Sequence, residues 1–249
     1  MSSRQDLGIV DVTGEITYAS AMDLINLITS WYRPTKSMAL IVRLNSPGGS
    51  IVASQQLCEY LQVLQANGLK IVVVCGDVVE SAALYLAVVA DKLIASPSTI
   101  LGAVGGIITR RELEIAPVLG QWRVDTITSG PLKDSRSNHA LENAEGRQMM
   151  QEIVEDISEV FCTWLAAHRP LTPTTLKMLR TGRSFTANKA LALGLVDSLG
   201  GYTAGLLTAS DLCNQSNFTR TFLINQTAKP LKDKAWNWVL NILVKGLLG

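Results

Sequence analysis

The fold turns on Met38-Ala39-Leu40-Ile41-Val42-Arg43-Leu44-Asn45-Ser46-Pro47-Gly48-Gly49-Ser50. Met38 to Leu44 is apolar apart from Arg43, as expected of a strand covered on both faces. Asn45 to Ser50 then collects the residues of a tight turn. Ser50 predicts the N-cap of a helix running to about Ala66, and Gly68 stands where a helix stop belongs. The same unit follows again. Leu69 to Cys75 is a β-branched run, Gly76 to Glu80 predicts a turn, and Ser81 opens an apolar helix to about Ala90. Two strand–turn–helix units about thirty residues apart put both turns on the same edge of a parallel sheet, where open α/β sheets bind ligands.

Reading outward gives more of the same alternation. Leu7 to Val12 predicts a strand and Tyr18 to Tyr32 a helix. Lys92 to Ala95 and Ile107-Ile108 predict short strands around the Gly-rich segment Leu101 to Gly106, and Val124 to Thr128 another. Leu141 to His168 predicts a long helix, Pro173 to Leu179 a short one, and Thr186 to Leu193 one that stops at Gly194. Tyr202 to Leu212 predicts a helix after Gly200-Gly201, followed by a strand at Thr219 to Ile224 and a terminal helix. Alternating strands and helices predict an α/β fold with a largely parallel sheet. No linker or low-complexity stretch intervenes. Residues 1–212 read as one domain, and residues 213–249 as a C-terminal strand plus amphipathic helix.

Composition narrows the function. The 249 residues are 47% hydrophobic and carry 22 Lys+Arg against 21 Asp+Glu, a net charge of +1. Such balance leaves no electrostatic footprint for nucleic acid, and low net charge favours burying surface in a homo-oligomer. Cys58, Cys75, Cys162 and Cys213 are scattered without metal-ligand or redox spacing, so they read as buried small hydrophobes, and no metal or cofactor is expected. With only His139 and His168 present, a nucleophile needs another kind of base. The N-terminus lacks the apolar core of a secretory signal, and no uncharged apolar run approaches the roughly 20 residues that span a bilayer. The expectation is a cytoplasmic chain. Within the tail 235–248, Asn237, Asn241 and Lys245 form one polar stripe on an otherwise apolar helix, suited to a neighbouring subunit or to a peripheral membrane contact.

Two positions carry chemistry. The N–H groups of Gly48, Gly49 and Ser50 read as free to meet an anion, either a phosphate or the oxyanion of an acyl-transfer intermediate. No Lys-Ser/Thr pair follows, which disfavours phosphate. Ser81, at a strand-to-helix junction, is in the ordinary case a helix cap. Its pairing with the donor turn on the same sheet edge is what makes it a candidate nucleophile.

The segments Arg43 to Ser50, Gly76 to Ser81, Ala90-Asp91-Lys92, Leu101 to Gly105, Ser129 to Asp134 and Ala190 to Asp197 resemble, in order and spacing, the signal peptide peptidase A family of serine peptidases, family S49. The resemblance covers roughly Val10 to Leu207. It implies the stacked β-β-α superhelix shared with the Clp proteolytic subunit and the crotonases, here with a C-terminal helical extension. It implies a Ser–Lys dyad with Ser81 as nucleophile and Lys133 as general base. The oxyanion hole would be formed by Gly49, Gly48 and Ala82. An extended hydrophobic peptide, such as a remnant signal peptide, would lie along a strand at Gly102 to Ile108, with Gly102, Ala103, Val104 and Gly105 contacting it. It also implies a homo-oligomer in which subunits can share the dyad. The family follows its serine with two glycines, whereas Ala82-Ala83 stand here. Three other readings compete: a crotonase-type acyl-CoA enzyme using Glu80 and Glu112, a phage-type capsid maturation protease of the same superfamily, and a non-enzymatic scaffold derived from one.

Overall fold

The computed structural model describes residues 6–35, 37–109, 127–130, 132–133, 144–215, 218 and 220–224. They fall into two compact units, one up to Val104 and again from Cys162, the other Gly105–Phe161.

In the first unit, β1 (Asp6–Thr13), β2 (Ala39–Ser46) and β3 (Lys70–Glu80) run parallel, with Leu7 opposite Ala39 and Ala39 opposite Lys70. Their side chains alternate between two covered faces. Leu7, Ile9, Ala39, Ile41, Val72 and Val74 pack on Leu206 and Ala209 of α7 (Tyr202–Leu212) and on Cys213, its C-cap. α1 (Tyr18–Thr35), α2 (Ile51–Ala66) and α3 (Ala82–Ala87) form the other layer; there Gly8 lies so close under the Trp31 ring that a Cβ would stand 2.4 Å from it. Burial on both faces is why these strands read as continuous apolar runs. β8 (Arg220–Ile224) adds to the outside of β1, with Arg220 opposite Asp6.

β3 forks the sheet. Val72–Val74 pair with β4 (Lys92–Ala95), which carries β7 (Ser198–Leu199); Val78–Glu80 pair with β5 (Ile100–Gly102), which carries β6 (Ser184–Thr186). Among the described strands all pairings are parallel except β5 with β6. The expected turn at Gly76–Glu80 is therefore strand. The register slips between Leu44, opposite Cys75, and Ser46, opposite Val79. Asn45 sits in the slip: its Oδ1 accepts the Val78 N–H at 3.1 Å, and a Cβ on Gly76 would stand 2.7 Å from the Asn45 Cβ. Gly76 is thus a bulge glycine that admits a neighbouring side chain, and turn-like composition misreads it. Correspondingly, the helix after Ser81 ends at Ala87, short of Ala90.

The Gly-rich strand expectation also shifts. Regular pairing covers Ile100–Gly102 and ends there, while Ile107 and Ile108 belong to no strand. Of the expected strand at Val124 to Thr128, residues 124–126 lie outside the described residues, as do Glu112 and the terminal helix. The strand expected from Thr219 is β8. Among the described residues, no helix is long and apolar enough to cross a membrane.

Asp91 and Asp197 are anchors of the frame. Asp91 accepts the Ile71 N–H at 2.8 Å and Gln65 Nε2 at 3.0 Å. Asp197 accepts the Leu93 N–H at 2.7 Å and pairs with the buried Arg169 guanidinium at 2.7 Å. All four cysteines are buried thiols outside any disulfide. Desolvation pushes the Cys75 thiol up to about 12 and that of Cys58 further still, so neither supplies a thiolate at neutral pH.

The second unit contains most of α4 (Ala144–His168). Gly106 packs on that helix, where a Cβ would stand 3.2 Å from the Val154 Cα and 3.3 Å from the Ile157 Cβ.

Candidate active site

Ser81 stands where β3 passes into α3. Its backbone adopts φ 50, ψ −130, a region that residues with a side chain rarely occupy. Two contacts impose that conformation. The Ser81 N–H donates to the Gly102 carbonyl at 2.9 Å, which continues the β3–β5 pairing one residue past the strand. The Ser81 carbonyl accepts the Leu84 and Tyr85 N–H groups at 2.8 and 3.1 Å, which starts the helix. A chain that leaves a strand and enters a helix within one residue must turn sharply. Strain of this kind costs about 1–3 kcal/mol and clusters at functional sites, and a strand–serine–helix elbow is the device that exposes the nucleophile in α/β-hydrolases.

The hydroxyl is not spent on capping. Ser81 occupies the N-cap position of α3 yet makes no side-chain cap bond. The contrast lies about thirty residues earlier, where the Ser50 Oγ accepts the Ala53 N–H at 3.2 Å as an ordinary N-cap. Thus the capping role holds for Ser50 and fails for Ser81.

The donor turn lies against this serine. A Cβ on Gly48 would stand 2.7 Å from the Ser81 Cβ and 3.0 Å from the Ala82 N. Of the three N–H groups expected to be free, two are engaged. Gly48 donates to the Ser46 Oγ at 3.1 Å, and Ser50 donates to the Ile16 carbonyl at 2.8 Å. Gly49 is the exception. It forms a parallel bridge with Ile16, in which Ile16 N–H reaches the Gly48 carbonyl at 2.8 Å. Because the Gly48–Gly49 peptide is trans and planar, its N–H points opposite to that carbonyl, away from Ile16. Gly48 therefore supplies close approach and Gly49 supplies the donor.

Ala82 opens α3, and the first N–H groups of a helix have no partner inside it. No acceptor meets the Ala82 N–H among the described residues. The methyl groups of Ala82 and Ala83 are packed in the interior, at 1% and 0% exposure, so they form part of the core beneath the serine. Glu80, next in the chain, accepts a hydrogen bond from the Ser184 hydroxyl of β6. Behind the helix, Tyr85 stacks on Trp164 with ring centroids 4.8 Å apart and accepts the Trp164 Nε1–H at its carbonyl at 2.9 Å, which fixes α3 from below.

The segment expected to receive substrate is only partly open. Gly102 is paired on both edges, to Glu80 and to Ser184, and a Cβ there would stand 2.5 Å from the Arg183 carbonyl oxygen. Ala103 donates to that carbonyl at 3.3 Å and holds φ 50; Val104 is buried. From Gly105 to Thr109 the backbone belongs to no strand. In the second unit, Gly106, Ile107 and Ile108 form one wall of a groove of about 380 Å³ whose other wall is Arg147, Met150 and Val154 of α4. Ile107 is 87% exposed.

Lys133 also belongs to the second unit. It is exposed and lies in a turn, where its N–H donates to the Gly130 carbonyl at 3.1 Å. The first unit thus brings together Ser81, Gly48, Gly49, Ala82 and Gly102, and Lys133 is described with the second. Sequence reasoning missed Ser46 and Ile16, which hold the donor turn. A serine two residues before a Gly-Gly pair was the available signal for the first; nothing local marked the second.

Known proteins resemble this chain. A family model described as Peptidase family S49 matches residues 64–216. The Synechocystis sp. putative protease slr0021 is 32% identical over 80% of this chain and 71% of its own length. Protease 4 of Salmonella typhi is 34% identical over 71% of this chain but only 28% of its own length, and the chloroplastic serine protease SPPA of Arabidopsis thaliana is 25% identical over 78% and 29%. This chain therefore corresponds to under a third of those two longer relatives. The solved structure of a mutant of the 1510-N membrane-bound stomatin-specific protease superposes with a TM-score of 0.53 over 83% of this chain and 85% of that one. At 17% identity that is a likeness of fold. With the family model spanning more than half of the residues, Ser81 and Lys133 among them, the chain belongs to peptidase family S49.

Proposed function

We propose that this chain is a serine endopeptidase acting on extended hydrophobic peptides, with Ser81 as nucleophile and Lys133 as general base. The observation that carries the reading is the Ser81 elbow: a strained backbone that presents a hydroxyl with no capping role beside two unused N–H donors. Ser81 Oγ attacks the scissile carbonyl while Lys133 takes its proton. The oxygen that becomes negative is held by the Gly49 and Ala82 N–H groups. Lys133 then protonates the leaving amine, an acyl-Ser81 ester remains, and a water deprotonated by the lysine hydrolyses it. A lysine performs this only when unprotonated, a form that desolvation by a bound apolar peptide favours. The apolar groove wall at Ile107 and Ile108 supports hydrophobic substrates. In this scheme Gly102 also sets the Ser81 elbow through its carbonyl, and the peptide lies along Gly102, Ala103, Val104 and Gly105.

Cleavage of a hydrophobic fluorogenic peptide tests the dyad. Turnover by the wild type that falls at least about a thousandfold in both Ser81→Ala and Lys133→Ala is expected. Equal turnover in all three proteins overturns it. The working assembly is proposed to be a homo-oligomer in which subunits share the dyad. Mixing the two inactive variants then restores part of the activity, whereas a strictly intrachain dyad leaves the mixture inactive.

A further inference from the structure

We propose that Ser46 is a positioning residue for the oxyanion hole, its buried hydroxyl locking the Gly48–Gly49 peptide in the orientation that presents the Gly49 N–H. The inference rests on the reading of Gly49 as an oxyanion donor.

Ser46 ends β2 and is 1% exposed. Its Oγ accepts the Gly48 N–H at 3.1 Å and donates to the Gly48 carbonyl oxygen at 3.4 Å, so both bonds fall on one residue. That residue needs holding. Gly48 and Gly49 adopt φ +105 and +139, and glycine accepts either hand of the backbone. A rotation of the peptide between them costs no side-chain clash, and it would aim the Gly49 N–H at Ile16 and remove the donor from the site. Two tethers oppose that rotation. One is the backbone bond from Ile16 N–H to the Gly48 carbonyl at 2.8 Å. The other is Ser46, whose hydroxyl donates to that same Gly48 carbonyl at 3.4 Å and, by accepting the Gly48 N–H, fixes the residue from which the peptide starts. Without it, the Gly48 N–H is left buried and unpaired, a state that a rearranged loop relieves. Ser46 touches neither substrate nor nucleophile in this scheme; it acts through Gly49, and so on the transition state rather than on substrate binding.

The test uses the full chain with a hydrophobic fluorogenic peptide and a peptidyl boronate, whose tetrahedral adduct on serine places an oxygen in the oxyanion hole. Ser46→Ala is expected to lower kcat about ten- to a hundredfold, with KM within about twofold, and to weaken boronate inhibition by a similar factor. Thr172→Ala removes the N-cap of α5 (Pro173–Leu179), where Thr172 accepts the Thr175 N–H at 3.1 Å, and serves as the stability control with unchanged kcat. If Ser46→Ala fails to fold by circular dichroism, Ser46→Cys keeps the shape with a weaker acceptor, and the same criteria apply. A kcat within about twofold of wild type, or a rise in KM at constant kcat, overturns the role of Ser46. Undiminished turnover in Ser81→Ala overturns instead the active-site reading on which it rests.

Discussion

A methyl group on Gly48 has no room. It would stand 2.7 Å from the Ser81 Cβ, 2.8 Å from the Glu80 carbonyl oxygen and 3.0 Å from the Ala82 N, on a backbone at φ +105. Each of those atoms belongs to the elbow, so relief of the clash must come from moving the serine or the donor turn. A displacement of about 1 Å at a reacting group costs about a hundredfold in rate. Gly48→Ala is therefore expected to lower kcat/KM at least about a hundredfold while the far-UV circular dichroism stays native. Gly68 provides the contrast, since it holds φ +93 just past the end of α2 with nothing within 4 Å of where a methyl group would sit. Gly68→Ala carries only the backbone strain, about 1 kcal/mol, and should lower Tm while leaving kcat/KM intact. If the two variants lose activity equally, the packing of Gly48 on Ser81 is not what sets the rate.

Among the elements, β3 decides the geometry of the site, and it is where sequence reading both succeeds and fails. The apolar runs of β1, β2 and the first half of β3 are legible because a strand buried on both faces needs nothing but apolar side chains. The helix cap at Ser50 is legible because it is local. The second half of β3 is not, because Gly76-Asp77 has turn chemistry and the pairing of Val78–Glu80 with β5 is a long-range contact. The same holds for the site: Ser81 and the Gly-Gly turn are visible as local motifs, while the Ile16 bridge that selects Gly49 over its neighbours depends on a third segment. Asp197 shows what such contacts contribute. It ties the first residues of β4 to Arg169, whose side chain is 5% exposed and whose Nη2 reaches the Val88 and Ala90 carbonyls at 3.5 Å. Asp197→Ala leaves that guanidinium buried without its counter-charge, a loss of about 3–5 kcal/mol. Urea unfolding should show a midpoint lowered accordingly with an unchanged slope; a shift under about 1 kcal/mol would mean that water reaches Arg169.

At the scale of the whole molecule, the first unit is closed by a strand that comes from the far end of the described chain. β8 pairs with β1 from Asp6 to Val10, joining residues 214 apart in sequence. Its hold on the sheet is partly electrostatic. Asp6 is completely buried, and the Arg220 guanidinium grips its two carboxylate oxygens at 3.0 and 2.6 Å. The carboxylate holds the Arg220 side chain firmly protonated through those hydrogen bonds. Removal of the arginine leaves the Asp6 carboxylate without its counter-charge, whereas removal of both partners leaves no charge. Because nearly half of the Arg220 side chain is exposed, the pair is less costly to break than one sealed in the interior. Arg220→Ala is thus expected to destabilise by about 2 kcal/mol, and Asp6→Asn with Arg220→Ala by less than the sum of the two single changes. A double-mutant cycle by urea unfolding measures the coupling directly. Coupling near zero would mean that β8 is held by its backbone ladder and by Phe222 and Ile224 alone. Since β1 leads through Gly14 to Ile16 and so to the donor turn, the Arg220→Ala protein should also be assayed for turnover; an unchanged kcat in a destabilised protein would show that the elbow and its donors are fixed by β2 and β3 independently of the edge strand.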